Sequence, residues 1–445
     1  MATVKPFRGW RYNPDKIKNM ARVLAPPYDV ISEDQHADYC ARSPYNIVHL
    51  SLGGAPFSPD PYLSRYPQAA DYWSHWRDEG IFLREDSPAI YVYDQDYESP
   101  LGGLVQRRGY IAAVKLCDYH ERMILPHEKI RSAVKTDRLG MLRACQCAFS
   151  QIFSLFSDPA GTVEEAVSAA LPAEPLFEVA DDEGVTHRMW VVTERDALET
   201  VSRAMADKQI VIADGHHRYE AALAYRNEMR ANHGEAAAGP WEYTTMLLCN
   251  VKAGALSILP SHRLIGELPA GAYKYLRVPA AGIFTIRQRE LPVGPAQRSI
   301  AVQGLLAEMR QIGARNHVFG LYTGDNQVSL LQVAQGAKAL GNFAPNCSAV
   351  WRNLDLAVLH EVIIDRLMGL RGRYAESQKN IFFTRSAEEA VGLVDRGEVA
   401  ATFLINPPTV EDVMDVARAG DQMPQKGTHF YPKPLTGVAI YDLRP

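Results

Sequence analysis

The stretch Asp214-Gly215-His216-His217-Arg218-Tyr219-Glu220 holds the densest set of groups able to do chemistry. The apolar run Gln209 to Ala213 before it predicts a short buried strand, and Tyr219 to Met229 after it predicts a helix. A glycine turn feeding a helix start leaves backbone N–H groups aimed at one point, where the macrodipole favours negative charge. Arg218 adds a planar fork that grips two phosphate or carboxylate oxygens. His216 and His217 can exchange protons near neutral pH, and Asp214 can serve as a base or a cation ligand. Turn-and-cap chemistry accounts for an Asp-Gly pair between strand and helix. It does not call for two histidines and an arginine beside it.

Four further segments carry candidate groups. The block His127-Glu128-Lys129-Ile130-Arg131-Ser132-Ala133-Val134-Lys135-Thr136-Asp137-Arg138 sets four cations behind a His-Glu pair, as binding of polyphosphate or carboxylate requires. A solvated basic helix face is the alternative. In Ala25-Pro26-Pro27-Tyr28-Asp29, a rigid proline pair can hold Tyr28 and Asp29 over a pocket at little entropic cost, or can form a structural turn. His262 and Arg263 follow a strand end, where ligand-facing residues often sit. The loop from Met423 to Gly437, kept non-helical by three prolines, presents Lys426 and Lys433 either to close over an anion or to dock against the core.

The elements that must position these groups alternate strand and helix. Strands are predicted at Ala89 to Tyr97 and Gly109 to Leu116, joined through Gly102-Gly103, and at Ile152 to Phe156, His187 to Val192 and Thr244 to Asn250. Helices are predicted at Tyr66 to Glu79, Val163 to Leu171 and Glu194 to Met205. At 445 residues the chain is too long for one ordinary core. A boundary near Leu268-Pro269-Ala270-Gly271 gives an α+β domain over 1–266 and an α/β domain over 267–445. In the second, His317 to Tyr322 and Val328 to Val333 read as a hairpin, and Leu356 to Leu367 as a packing helix.

Composition narrows the function classes. A formal charge of −5 argues against nucleic-acid binding over the whole surface. No apolar run approaches the roughly 20 residues of a membrane span, and the N-terminal residues lack a secretion signal. Six cysteines in so long a chain are no disulfide framework, and Cys145 with Cys147 has no partner pair at zinc-site spacing. A reducing cytoplasm fits best. Neither a GxxxxGK[ST] loop nor a GxGxxG fingerprint is present.

Taken in order, Leu24-Ala25-Pro26-Pro27-Tyr28-Asp29-Val30-Ile31, the His127 to Arg138 block, Ala213 to Glu220, Leu259-Pro260-Ser261-His262-Arg263 and the Gln425 to Gly437 tail resemble the bacterial and archaeal family known as domain of unknown function 1015. The resemblance spans nearly the full length, and the family name carries no activity. The Gly-His-His-Arg run is also similar to a loop of the ParB/sulfiredoxin superfamily, whose ADP-dependent free-serine kinases carry Asp-Gly-His-His-Arg. That second likeness implies a nucleotide-binding core with insertions, in which Gly215, His216, His217 and Arg218 bind phosphate. It implies that Asp214 positions Mg²⁺ or the attacking hydroxyl. The sulfiredoxin cysteine position is His216 here, which rules out thiol-based repair at that point.

The expected reaction is phosphoryl transfer between a nucleotide, ATP or ADP, and a small hydroxylated metabolite, with serine favoured by the analogy. Lys129, Arg131, Lys135 and Arg138 would meet the nucleotide together with His127. Asp29 or Asp214 would accept the hydroxyl proton, and Tyr28, His262, Arg263, Lys426 and Lys433 would hold the substrate. The alternatives are a phosphatase using water as acceptor and a non-catalytic nucleotide-binding module. Oligomeric state is not legible.

Overall fold

Alternating apolar residues build the longest strands. Ile90–Glu98 and Leu104–Lys115 pair antiparallel, and the turn between them uses Gly102 and Gly103, both at positive φ. The computed structural model describes residues 2–53, 61–99, 102–129, 132–234, 238–268, 282–334, 340–369 and 380–444. They form a mixed helix-and-strand protein, and the chain divides into two compact units. One comprises Met1–Ser257 with Phe430–Pro445, and the other Ile258–His429. The sequence placed the division at 266 and assigned the whole tail to the second domain. Instead, the chain leaves the first unit nine residues earlier (266 against 257) and returns to it at Phe430.

The hairpin belongs to the nine-stranded sheet of the first unit. The order across it is Ile124–Leu125, Ile210–Asp214, Ile152–Phe156, Tyr243–Asn250, Leu104–Lys115, Ile90–Glu98, Thr186–Val192 and Phe177–Ala180, with Val4–Lys5 added on Leu104–Lys115. Ile210–Asp214 is antiparallel to Ile152–Phe156 but parallel to Ile124–Leu125. One face is covered by Arg195–Met205 and Thr162–Ala169 in a core that contains Ile90, Val92, Val114, Phe156, Val201 and Ile212. Helix His216–His233 packs on helix Ser132–Cys145. Glu33–Arg42, unexpected from the sequence, is started by a Ser32–Gln35 capping box.

In the second unit, Phe284–Glu290, Gln327–Val333, Val318–Tyr322, Ala401–Ile405, His262–Ile265 and Ile381–Thr384 lie in that order, every pairing antiparallel. Period-two alternation gives the sheet two buried faces. Phe319 and Leu321 meet Val358–Leu367, while Val318 and Tyr322 meet helices Pro295–Gly313 and Ala387–Asp395. The 317–333 hairpin and the packing role of Leu356 to Leu367 are as expected.

Candidate functional site

The strand Ile210–Asp214 slips register against its neighbour between Ile212 and Asp214, and this bulge presents Asp214 at the strand end. Gly215 follows at φ 94°, so the helix starts at His216, three residues before the point expected from apolar spacing. A Cβ on Gly215 would lie 2.9 Å from the Arg218 guanidinium, so glycine is needed for both its torsion and its missing side chain. No side chain caps this helix. His216, His217 and Arg218 therefore stand at its first three positions, where N–H groups lack intrahelical acceptors.

Two cations hold the Asp214 carboxylate. Arg218 Nη2 donates to Oδ2 at 2.7 Å, and Lys433 Nζ donates to Oδ1 at 2.5 Å. All three side chains are nearly buried, at 13%, 11% and 11% exposure for Asp214, Arg218 and Lys433. Burial alone would raise the Asp214 pKa, but Lys433 and then Arg218 reverse this and hold it well below the usual carboxylate range. Arg218 Nη1 donates to the Gln151 carbonyl at 2.5 Å, while its Nε and Gln151 Oε1 are buried without hydrogen-bond partners among the described residues.

Lys433 reaches Asp214 because the tail is pinned. Arg107 donates to the carbonyls of Tyr431 and Pro432, and Gln95 Nε2 donates to that of Lys433 at 3.1 Å. The Leu435 N–H donates to Tyr93 Oη at 3.1 Å, and the Thr436 N–H to the Ala25 carbonyl at 2.8 Å. From Phe430 on, the docked alternative applies and the mobile closing loop does not. Gln151 and Arg107 were not singled out by sequence, since nothing near them departs from ordinary strand and loop composition.

The histidines are fixed by main-chain groups. His127 donates its N–H to His216 Nε2 at 3.2 Å and its ring Nδ1–H to the Ile212 carbonyl at 2.5 Å. The two rings stand edge to face at 4.6 Å. Glu128 Oε2 lies 3.8 Å from His216 Nδ1. Burial pushes His127 down to about 4, and burial with the neighbouring His127 holds His216 well below its ordinary value. Both are neutral at pH 7, so His216 acts as a fixed dipole and not as a cation.

Tyr28 completes this side. Its ring covers the Arg138 guanidinium at 3.9 Å, and burial raises its pKa, with Asp29 and Asp214 adding to the rise and Arg138 and Arg218 opposing it. Arg138 is itself ion-paired to Asp137, which also accepts from Tyr66 at 2.7 Å. Tyr28, Arg138, Arg218 and Ser150 line a cavity of about 60 Å³ with Met141 and Phe149.

Other sequence candidates stand elsewhere. Lys135 is bound to Glu220 at 2.9 Å, Lys129 is exposed, and Arg131 lies outside the described residues. His262, Arg263 and Lys426 belong to the second unit. There Arg263 is fully buried, donating to His360 Nε2 at 3.0 Å and to the Gln425 carbonyl at 3.0 Å. Burial lowers it to about 9, and its contacts tie a loop to a strand. Among the described residues no three acidic, His or Cys side chains converge as a metal site. With both Asp214 oxygens taken by cations, the arrangement does not fit a protein-held Mg²⁺ ion.

Among solved structures, a free serine kinase in complex with AMP aligns over 72% of this chain and 88% of its own, at 11% identity and TM-score 0.35. A conserved hypothetical protein from Pyrococcus furiosus aligns over 71% and 90%, at 10% identity and TM-score 0.33. SbnI from Staphylococcus aureus, truncated at its C-terminus, aligns over 74% and 87%, at 11% identity and TM-score 0.34. No curated protein matches the chain. Residues 4–357 match the model of the family described as protein of unknown function DUF1015, and the chain belongs to that family.

Proposed function

We propose that the first unit moves a phosphoryl group between a nucleotide and a small hydroxylated metabolite, with free serine as the first acceptor to test. The observation that carries this reading is the Asp214 carboxylate clamped by Lys433 and Arg218 beside an uncapped helix start. A carboxylate in that place is the kind of anion a phosphate would replace. The unpartnered Arg218 Nε and Gln151 Oε1 add support, because buried polar atoms normally have partners.

Exchange of anions gives a mechanism. An entering phosphate draws Lys433 and Arg218 toward its own oxygens. Asp214 then loses the two charges that keep it ionised and weakly basic, so its pKa rises. The carboxylate becomes able to take the hydroxyl proton of the acceptor only when the phosphate is bound. His216, neutral and aligned by His127, can donate one hydrogen bond to the transferred group without adding charge. Asp29, exposed next to Tyr28, is the alternative proton acceptor. Positioning and charge neutralisation do most of the work in such a reaction. The cavity is far below the ~300–1,000 Å³ of ordinary ligand pockets, so the phosphate end is what it would admit.

The test is the protein incubated with ATP or ADP, Mg²⁺ and a panel of hydroxy amino acids. Phosphorylated amino acid supports the proposal. Free phosphate alone makes the protein a phosphatase, and binding without turnover makes it a nucleotide-binding module. Arg218→Ala should weaken nucleotide binding by ~1.5–3 kcal/mol, the worth of a charge-assisted hydrogen bond. Unchanged affinity by calorimetry would remove Arg218 from the site.

A further inference from the structure

The second unit carries an unassigned polar surface of its own. Where helix Pro295–Gly313 gives way to strand Val318–Tyr322, Arg315, Asn316 and His317 form a ridge shared by two open clefts of about 710 and 590 Å³. Arg310 lines the larger cleft and Arg287 the smaller. The ridge is firmly held, since Asn316 accepts the His317 N–H at 2.9 Å and donates to the Val333 carbonyl at 2.7 Å. Asp355 Oδ1 lies 2.6 Å from His317 Nδ1, which fixes the proton on that nitrogen and leaves Nε2 as the ring's other polar atom.

Charge around the ridge is unbalanced. Asp355 is engaged by His317, and Asp412 caps its helix by accepting the Thr409 N–H at 2.8 Å. Glu308, the acid that senses Arg287, is bound by Arg289 at 2.6 Å. Among the described residues no carboxylate makes an ion pair with Arg287, Arg310 or Arg315. The end of helix Pro295–Gly313 explains a cation at Arg310 and Arg315 through the macrodipole. It explains neither Arg287, which comes from strand Phe284–Glu290, nor the oriented imidazole.

We infer that this ridge is a second anion-binding site, seating in the smaller cleft a compact dianion that Arg287 and Arg315 neutralise beside the His317 ring. A phosphate ester and a dicarboxylate share that chemistry, and the inference is independent of the function proposed for the first unit. The full-length protein is titrated with inorganic pyrophosphate and, separately, with succinate. The imidazole resonances of His317 are followed by NMR, assigned by their loss in His317→Gln. A saturable shift of His317 is expected with one probe, and which probe it is identifies the ligand class. In Arg287→Ala/Arg315→Ala, two exposed positions whose change spares the core, apparent affinity falls roughly tenfold or more, the worth of about one charge-assisted bond. In the same variant, any response of His127 and His216 stays as in the unsubstituted protein. No His317 shift with either probe, or a shift of unchanged affinity in the double variant, overturns the inference.

Discussion

Asp214 is held by two nearly buried cations, Lys433 and Arg218, and this makes it the most informative side chain to change. Asp214→Asn keeps the shape but leaves Lys433 and Arg218 facing a neutral amide, so turnover should fall while the fold survives. Full activity in that variant would reassign Asp214 to a structural role. His127 gives a separate, pH-dependent prediction. Burial holds it at about 4 in the folded chain against 6.5 when unfolded. Below pH 6.5 the unfolded state takes a proton that the folded state refuses. The stability is therefore present above 6.5 and lost as pH falls toward 4, by roughly 3 kcal/mol in total. Denaturant midpoints at pH 7 and pH 5 should converge in His127→Asn relative to the unsubstituted protein, and equal pH sensitivity would count against this assignment.

The strand–glycine–helix unit was legible because each part obeys a local rule. An apolar run made the strand, glycine made the turn, and good helix formers made the helix. The start of the helix was misplaced by three residues because His216 and Arg218 are polar, and their burial comes from tertiary partners that sequence spacing does not reveal. The same reason hid the origin of the second cation. Lys433 lies 219 positions from Asp214, and only the pinned tail brings them together. Lys135 and Lys129 showed the opposite failure, since cations near one another in sequence need not share a surface: Lys129 stands exposed ahead of helix Ser132–Cys145, while Lys135 within it is bound to Glu220. Gly215→Ala tests the unit directly. It forces a side chain into positive φ and into the Arg218 guanidinium, and should cost about 1–3 kcal/mol in thermal unfolding together with nucleotide affinity. An unchanged melting temperature would mean that the loop relaxes without loss.

For the whole molecule, composition led to a division at 266, whereas the compact units part after Ser257 and the chain returns to the first at Phe430. Proline and glycine near 269 marked an exit, whereas re-entry at Phe430 depends on backbone pairing that composition does not signal. The second unit has its own two-faced core, so residues 258–429 expressed alone should give cooperative unfolding. A broad transition, with no protected amides, would show that it depends on the flanking chain.

The return of the chain has one more consequence. Since Lys433 is translated after every residue of 258–429, a nascent polypeptide emerging from the ribosome holds Asp214 and Arg218 long before their lysine exists. Completion of the ion cluster is thereby deferred until the intervening segment has been synthesised, and a premature stop codon anywhere within it yields a product that lacks one of the two cations on Asp214.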